Sequence, residues 1–235
     1  MSSFQFKQFS VSHDRCAMKV GTDGVLLGAW AEAAGKRTIL DVGTGTGLIA
    51  LMMAQRCPSA KIWGIDIDED AVAQAKENRD RSPWHDRITI LNCDFNYPFV
   101  MEGYQFDAIV SNPPFFKEQV HAPNQQRELA RRQDALPIAA LMRNAARLLA
   151  ENGVLSLVLP FSQVNDTVGE AAINSLFLRR RCDVITTIGK KPKRTMLEFT
   201  DRIVPTSHSS ITIYDQLHNY TPEFISLTRD FYYNM

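Results

Sequence analysis

From Thr38 onward, short apolar runs alternate with stretches in which apolar residues recur every three to four positions. Runs of the first kind read as buried strands and stretches of the second as amphipathic helices, so their alternation predicts a parallel sheet wrapped by helices. "TILDVG" is the first strand, with a helix over about 47–56 that ends before Pro58. "KIWGID" is the second, followed by "DEDAVAQAKENRD", where Ala71, Val72 and Ala75 fall at helical spacing. "RITILN" and "FDAIVSN" supply strands three and four. In "ALPIAALMRNAARLLAENG", Ile138, Leu141, Met142, Ala145, Leu148 and Leu149 share one helical face, with Asn152-Gly153 expected to close the helix. "VLSLVLP" is strand five; "RRCDVITTIG" and "SSITIYD" follow as strands, the last read as antiparallel.

Two segments stand outside this alternation. Residues 1–36 precede the sheet and are expected to pack on it as a cap, leaving 37–235 as the core of a single domain. Residues 117–134 form a long polar connection, and a connection of that length in a compact domain is more often functional than idle.

Composition narrows the class without naming a ligand. A chain of 235 residues, 45 % apolar, can bury a sizeable core. The 26 basic and 26 acidic side chains cancel, so a nucleic-acid partner would have to be met by a local patch. The four cysteines are widely spaced and have no histidine at zinc-finger spacing, which points to no metal and no disulfide framework. No signal peptide or membrane-length apolar run is present, so a cytoplasmic protein, expected to be a monomer, is read from the sequence.

The chemistry concentrates at the ends of the strands. "DVGTGTG" places Gly43, Gly45 and Gly47 where a strand turns into a helix and a ligand can approach bare backbone. The dinucleotide spacing G-x-G-x-x-G fails, and so does the Gly-Lys-Ser/Thr of a phosphate loop. Asp41 opens the loop, Asp66 ends strand two where an acid can take ribose hydroxyls, and Asp94 can accept from an adenine amino group beside Phe95. Three acids around one crevice would repel a pyrophosphate. They suit a ligand with a ribose, an adenine and a positive charge.

With these residues, the chain resembles class I S-adenosylmethionine-dependent methyltransferases over roughly residues 18–160. The resemblance implies a Rossmann-like, seven-stranded, mostly parallel α/β sheet with helices on both faces, and S-adenosylmethionine as cofactor. In that superfamily, N/D/S-P-P-Y/F/W after strand four is associated with methylation of planar nitrogens, and here the sequence is "SNPPFF". An exocyclic amino nitrogen must become more tetrahedral before it attacks a methyl group. The Asn112 side-chain oxygen and the Pro113 carbonyl can draw its hydrogens out of plane, and Phe115 offers a face for a splayed-out base.

"RRRCDVITTIGKKPKR" holds Arg179, Arg180, Arg181, Lys190, Lys191, Lys193 and Arg194 against Asp183, a cluster able to neutralise phosphates or to form a solvated face. Arg127, Arg131 and Arg132 follow "NPPF" and add to the candidate RNA surface. "MKVGTDGVLLGAW", "NPPFF" and "KPKRTMLEF" together resemble the bacterial tRNA1(Val) adenine N6-methyltransferase family, which modifies the adenine beside the anticodon, adenine 37. That resemblance implies tRNA as partner, Lys19, Gly21, Thr22 and Asp23 over the cofactor with Thr44, Thr46, Ile67 and Asn112 beside it, and Lys193 and Arg194 near the RNA. Methylation of a protein glutamine, of a ribosomal guanine N2, or a non-enzymatic RNA-binding role stay open on the motif alone.

Overall fold

The structure, a computed structural model, describes residues 3–16, 19–114 and 136–233. In chain order its elements are β1 (Ser3–Gln5), β2 (Ser10–Ser12), α1 (Thr22–Trp30), β3 (Thr38–Val42), α2 (Leu48–Arg56), β4 (Lys61–Asp66), α3 (Glu69–Asp80), β5 (Ile88–Asn92), β6 (Phe106–Ser111), α4 (Ile138–Leu148), β7 (Leu149–Pro160), α5 (Val164–Ile173), β8 (Phe177–Thr187), β9 (Arg194–Thr200), β10 (Ser207–Tyr214) and α6 (Pro222–Thr228). Strands β3 to β10 form one sheet in the order β10-β8-β9-β7-β6-β3-β4-β5. Only β9 runs against its neighbours β7 and β8; every other pairing in the sheet is parallel.

Alternate residues along the central strands feed two cores. Ile39 packs on the face covered by α1, α2, α3 and α6, whereas Leu40 packs on the face covered by α4 and α5. Close helix packing on the first face depends on glycine: a Cβ at Gly28 would lie 2.7 Å from the Met52 sulfur, so α1 and α2 meet only because Gly28 has none. Helix α3 begins at Asp68, whose carboxylate accepts from the backbone N–H groups of Asp70 and Ala71.

Three expectations need correction. The sheet has eight strands rather than seven, because β10 extends it beyond β8. The antiparallel strand is β9, "RTMLEFT", whereas β10 is parallel to β8. Helix α4 stops at Leu148, and Asn152-Gly153 lies inside β7, where the register with β6 shifts between Phe106 and Ala108. Asn152 takes a positive φ of 61°, and a Cβ at Gly153 would sit 2.8 Å from the Ala150 carbonyl oxygen. The pair kinks a strand instead of capping a helix.

The arginines of "RRR" are also placed differently from a free basic face. Arg179 pairs with Glu32, and Arg180 lies 2.8 Å from Glu198 with its guanidinium 4.1 Å over the Trp30 ring. Glu198 is fully buried and also accepts from Ser156. Arg181 donates to both oxygens of Asp183. The first two arginines therefore tie the end of α1 to β8 and β9, through acids distant from them in sequence.

Candidate active site

The strand order reverses at β3, which is followed in the chain by β4 on one side and flanked by β6 on the other. A crevice forms at the carboxyl ends of strands at such a switch point. The glycine loop leaves β3 here and Asn112 leaves β6, while Ser111 Oγ donates to the Val42 carbonyl at 2.8 Å and holds the two strand ends together.

Gly43, Gly45 and Gly47 have φ of 69°, 54° and 81°, the left-handed region that a side chain disfavours. A Cβ built on Gly43 or Gly45 would meet nothing within 4 Å, so their bare backbone faces the crevice; Gly47 instead packs against Ala75 of α3. The loop is pinned on several sides. Thr44 N–H donates to the Ile65 carbonyl, Gly45 N–H to Asp66 Oδ2 at 2.8 Å, and Asn78 Nδ2 to the Thr46 carbonyl. Gly64 makes room for Thr44, since a Cβ there would sit 2.8 Å from the threonine hydroxyl oxygen.

Asp41 is placed where the sequence did not suggest. It is fully buried in β3, and its Oδ2 accepts from the Thr44 hydroxyl at 2.7 Å and from Ala50 N–H at 3.1 Å. It braces the loop from beneath and is absent from the crevice lining. Its Oδ1 is buried without a hydrogen-bond partner, and burial pushes the carboxyl up to about 7. Burial likewise raises Asp66, whose two oxygens accept from Gly45 and Asp68 N–H.

Two compartments share Gly43, Gly45 and Asn112 as their common wall. The smaller, about 180 Å³, is lined by Asp66, Ile67, Asp94, Phe95, Pro113 and Cys16 among others. Asp94 Oδ1 accepts from Asn96 N–H and Nδ2, whereas Oδ2 has no donor among the described residues. Phe95 is buried, its carbonyl held by Asn144. The larger compartment, about 1220 Å³, is lined by Lys19, Gly21, Thr22, Asp23, Thr44 and Thr46 on one side and by Phe161, Gln163, Lys193 and Arg194 on another.

The sequence-read residues thus divide. Gly43, Thr44, Gly45, Thr46, Asp66, Ile67, Asp94, Phe95, Asn112, Pro113, Lys19, Gly21, Thr22 and Asp23 converge on one crevice, whereas Gly47 packs against Ala75 of α3 and lines neither compartment. Lys190 and Lys191 are exposed on the turn between β8 and β9, and Lys193 on that turn reaches the larger compartment. Arg194 Nε is engaged by Asp23 at 2.8 Å. Phe115, Arg127, Arg131 and Arg132 lie outside the described residues.

Among the lining residues that were not singled out beforehand are Phe161 and Cys16. Phe161 follows strand β7 as Asn112 follows β6, and that shared position at a strand's carboxyl end was the signal available. Cys16, read only as packing, borders the smaller compartment; burial and the carboxylates of Asp66, Asp68 and Asp70 push its thiol up to about 11, so it stays protonated.

The geometry fits S-adenosylmethionine: open glycine backbone, a carboxylate at the end of the second parallel strand, and a second carboxylate, Asp94, in the same compartment beside Phe95. Among the described residues no group of three or more His, Cys, Asp or Glu could hold a metal, and no helix is long and apolar enough to cross a membrane.

Comparison with known proteins places this architecture. The Methyltransferase small domain family matches residues 16–179. Among solved structures, a predicted O-methyltransferase from Agrobacterium tumefaciens superposes with a TM-score of 0.70 at 17 % identity, covering 91 % of this chain and all of that one. The ribosomal protein L11 methylase of Lactobacillus delbrueckii gives 0.54 at 17 % identity, over 77 % of each chain. Both show the fold. Curated relatives go further. A protein of Bacteroides thetaiotaomicron is 47 % identical over 99 % of this chain and 98 % of its own, and one of Actinobacillus succinogenes is 46 % identical over 98 % and 97 %. Each is named tRNA1(Val) (adenine(37)-N6)-methyltransferase, and at that identity over nearly the full length, this chain belongs to the tRNA1(Val) (adenine(37)-N6)-methyltransferase family.

Proposed function

We propose that the protein methylates N6 of an adenine in the tRNA anticodon loop, adenine 37 of tRNA1(Val), with S-adenosylmethionine as donor. The observation that carries this reading is the position of Asn112, whose side chain borders both compartments at the carboxyl end of β6. When bound, S-adenosylmethionine supplies a methyl group activated on a sulfonium. Gly43 and Gly45 would receive its methionine part, Asp66 the ribose hydroxyls, and Asp94 Oδ2 the adenine amino group.

Asn112 and Pro113 do the work on the acceptor. Their oxygens take the two amino hydrogens out of the plane of the base, directing the nitrogen lone pair toward the wall that the two compartments share. Proline fixes where that carbonyl points. No strong base is required, because the methylated nitrogen is acidic and releases its proton to solvent. An anticodon-loop adenine is unpaired already, so presenting it costs little.

Exposed Lys190, Lys191 and Lys193 support RNA over a protein glutamine as substrate, since Lys193 lines the larger compartment and the other two share its turn, where they can take phosphates. The test is incubation of purified protein and S-adenosylmethionine with unmodified tRNA, digestion to nucleosides and mass spectrometry. N6-methyladenosine is the expected product. Methylguanosine, or no product until protein substrates are offered, would overturn the reading.

A further inference from the structure

Among the described residues, Phe161 is the aromatic ring that lines the larger compartment. It opens the single 3-10 turn after β7, lines the cleft with Asn112, and is 38 % exposed. Phenylalanine is more often buried, and the cleft that it lines is largely polar, with Thr44, Ser162, Gln163, Asp166 and Lys193 in its lining.

The ring is held still. The Arg181 guanidinium stands over it, 5.2 Å from its centroid. Arg181 is itself fixed, donating from Nε and Nη2 to the two oxygens of Asp183 at 2.9 and 3.1 Å, while Thr195 Oγ1 donates to Asp183 at 3.0 Å. The main chain is fixed as well, with Phe161 N–H donating to the Lys193 carbonyl at 3.1 Å and Pro160 setting the preceding φ at −58°. One side of the ring is therefore covered by a cation supported from behind. The residue lines the cleft that Asn112 also borders, which leaves the ring's other face as the one a ligand there can meet.

A rigid ring backed by a cation has a use that fits this cleft. A guanidinium over one face withdraws electron density from the ring, which favours an electron-rich planar partner on the other face. Immobility removes the entropy cost of arranging the ring when that partner arrives. A purine is such a partner; a glutamine side-chain amide has far less flat area to offer.

We infer that Phe161 is a base-stacking residue, giving the target adenine a flat wall while Asn112 and Pro113 take its amino hydrogens. The inference rests on the RNA-methylation reading and extends it by naming a second contact to the base.

Single-turnover methylation of an unmodified tRNA1(Val) transcript, with the protein saturated in S-adenosylmethionine, tests it. Stacking on an aromatic side chain is worth roughly 1–3 kcal/mol per base, so Phe161→Leu is expected to lower the rate at subsaturating enzyme by about 5- to 150-fold. Phe161→Trp, which keeps a flat face, retains most of the rate. Calorimetric affinity for S-adenosylmethionine stays at the wild-type value in both variants.

A transcript carrying 2-aminopurine in place of the target adenine gives a readout that a purely structural role would not move. Its emission on the wild-type protein is quenched by stacking, and Phe161→Leu brightens it. A Leu variant as fast as wild type, equal rate reductions for Leu and Trp, or equal emission from both complexes would overturn the inference and leave the function intact. Wild-type protein inactive on tRNA would overturn both.

Discussion

Arg194 and Asp23 are 171 positions apart in the chain and meet at 2.8 Å on the wall of the larger compartment. One belongs to β9, the other to the first turn of α1. The pair holds Thr22 and Asp23 over the crevice and takes up an arginine that composition alone would assign to RNA. Because both side chains are about one-third exposed, the pair is worth about 1 kcal/mol at most. Arg194→Ala is therefore expected to weaken S-adenosylmethionine binding by roughly fivefold in calorimetry, with Arg194→Lys in between. Unchanged affinity would mean that α1 is held over the crevice by its packing on α2 alone.

The buried carboxyl of Asp41 makes stability depend on pH. Its value in the folded protein, about 7, lies above the ordinary 3.8, so the folded state keeps a proton that the unfolded chain releases. Stability is fully present below 3.8, declines as pH rises through that window and stays reduced above about 7. The loss from this group is on the order of 4 kcal/mol. Asp41→Asn should flatten the slope in urea unfolding between pH 5 and pH 8, without abolishing it, because burial raises Asp66 in the same direction. An unaltered slope would assign the dependence to other groups.

Asn112 separates binding from chemistry. Asn112→Ala is expected to leave S-adenosylmethionine affinity close to wild type while kcat on tRNA drops by about 10²-fold or more, the scale of removing one preorganised polar group. Rapid-quench kinetics and calorimetry on the same preparation read the two effects. Turnover at the wild-type level would remove the side-chain oxygen from the mechanism.

Lys190, Lys191 and Lys193 are exposed on one turn. If they face phosphates, replacing all three with glutamate weakens tRNA binding and flattens the plot of log affinity against log salt by roughly one unit of slope for each phosphate no longer neutralised. Filter binding at several salt concentrations gives the slope. A line that coincides with wild type would return the turn to plain solvated surface.

What was readable in the sequence was local. The glycine loop, the strands on either side of it, Asp66, and "NPP" after β6 depend on residue types at short spacing, and each was found. What escaped was set by partners far away in the chain. Strand β9 was not read as a strand at all: its pairing partners, β7 and β8, lie earlier in the chain, and its first residue, Arg194, is the last of the basic run. Arg179 and Arg180 read as a surface patch because Glu32 and Glu198, which hold them, are 147 and 18 positions off. Asp41 read as a ligand contact because a carboxylate beside a glycine loop suggests one; only the direction of its side chain, beneath the loop toward Thr44 and Ala50, shows it as a brace.

The meeting of residues 23 and 194 has a counterpart elsewhere: Lys7 N–H donates to the Phe231 carbonyl, and Phe6 stacks with Tyr232. Early and late segments of the chain close on each other around a sheet whose glycine loop is made in between. In chain order, every residue of that loop precedes the ones that contact α1 and the segment joining β1 to the antiparallel partner β2 from the far end of the sequence. The contacts that α1 and the segment after β1 make with the late part of the chain exist only when residues 194 to 232 are present, so a chain truncated before them would carry the whole glycine loop without its surrounding wall.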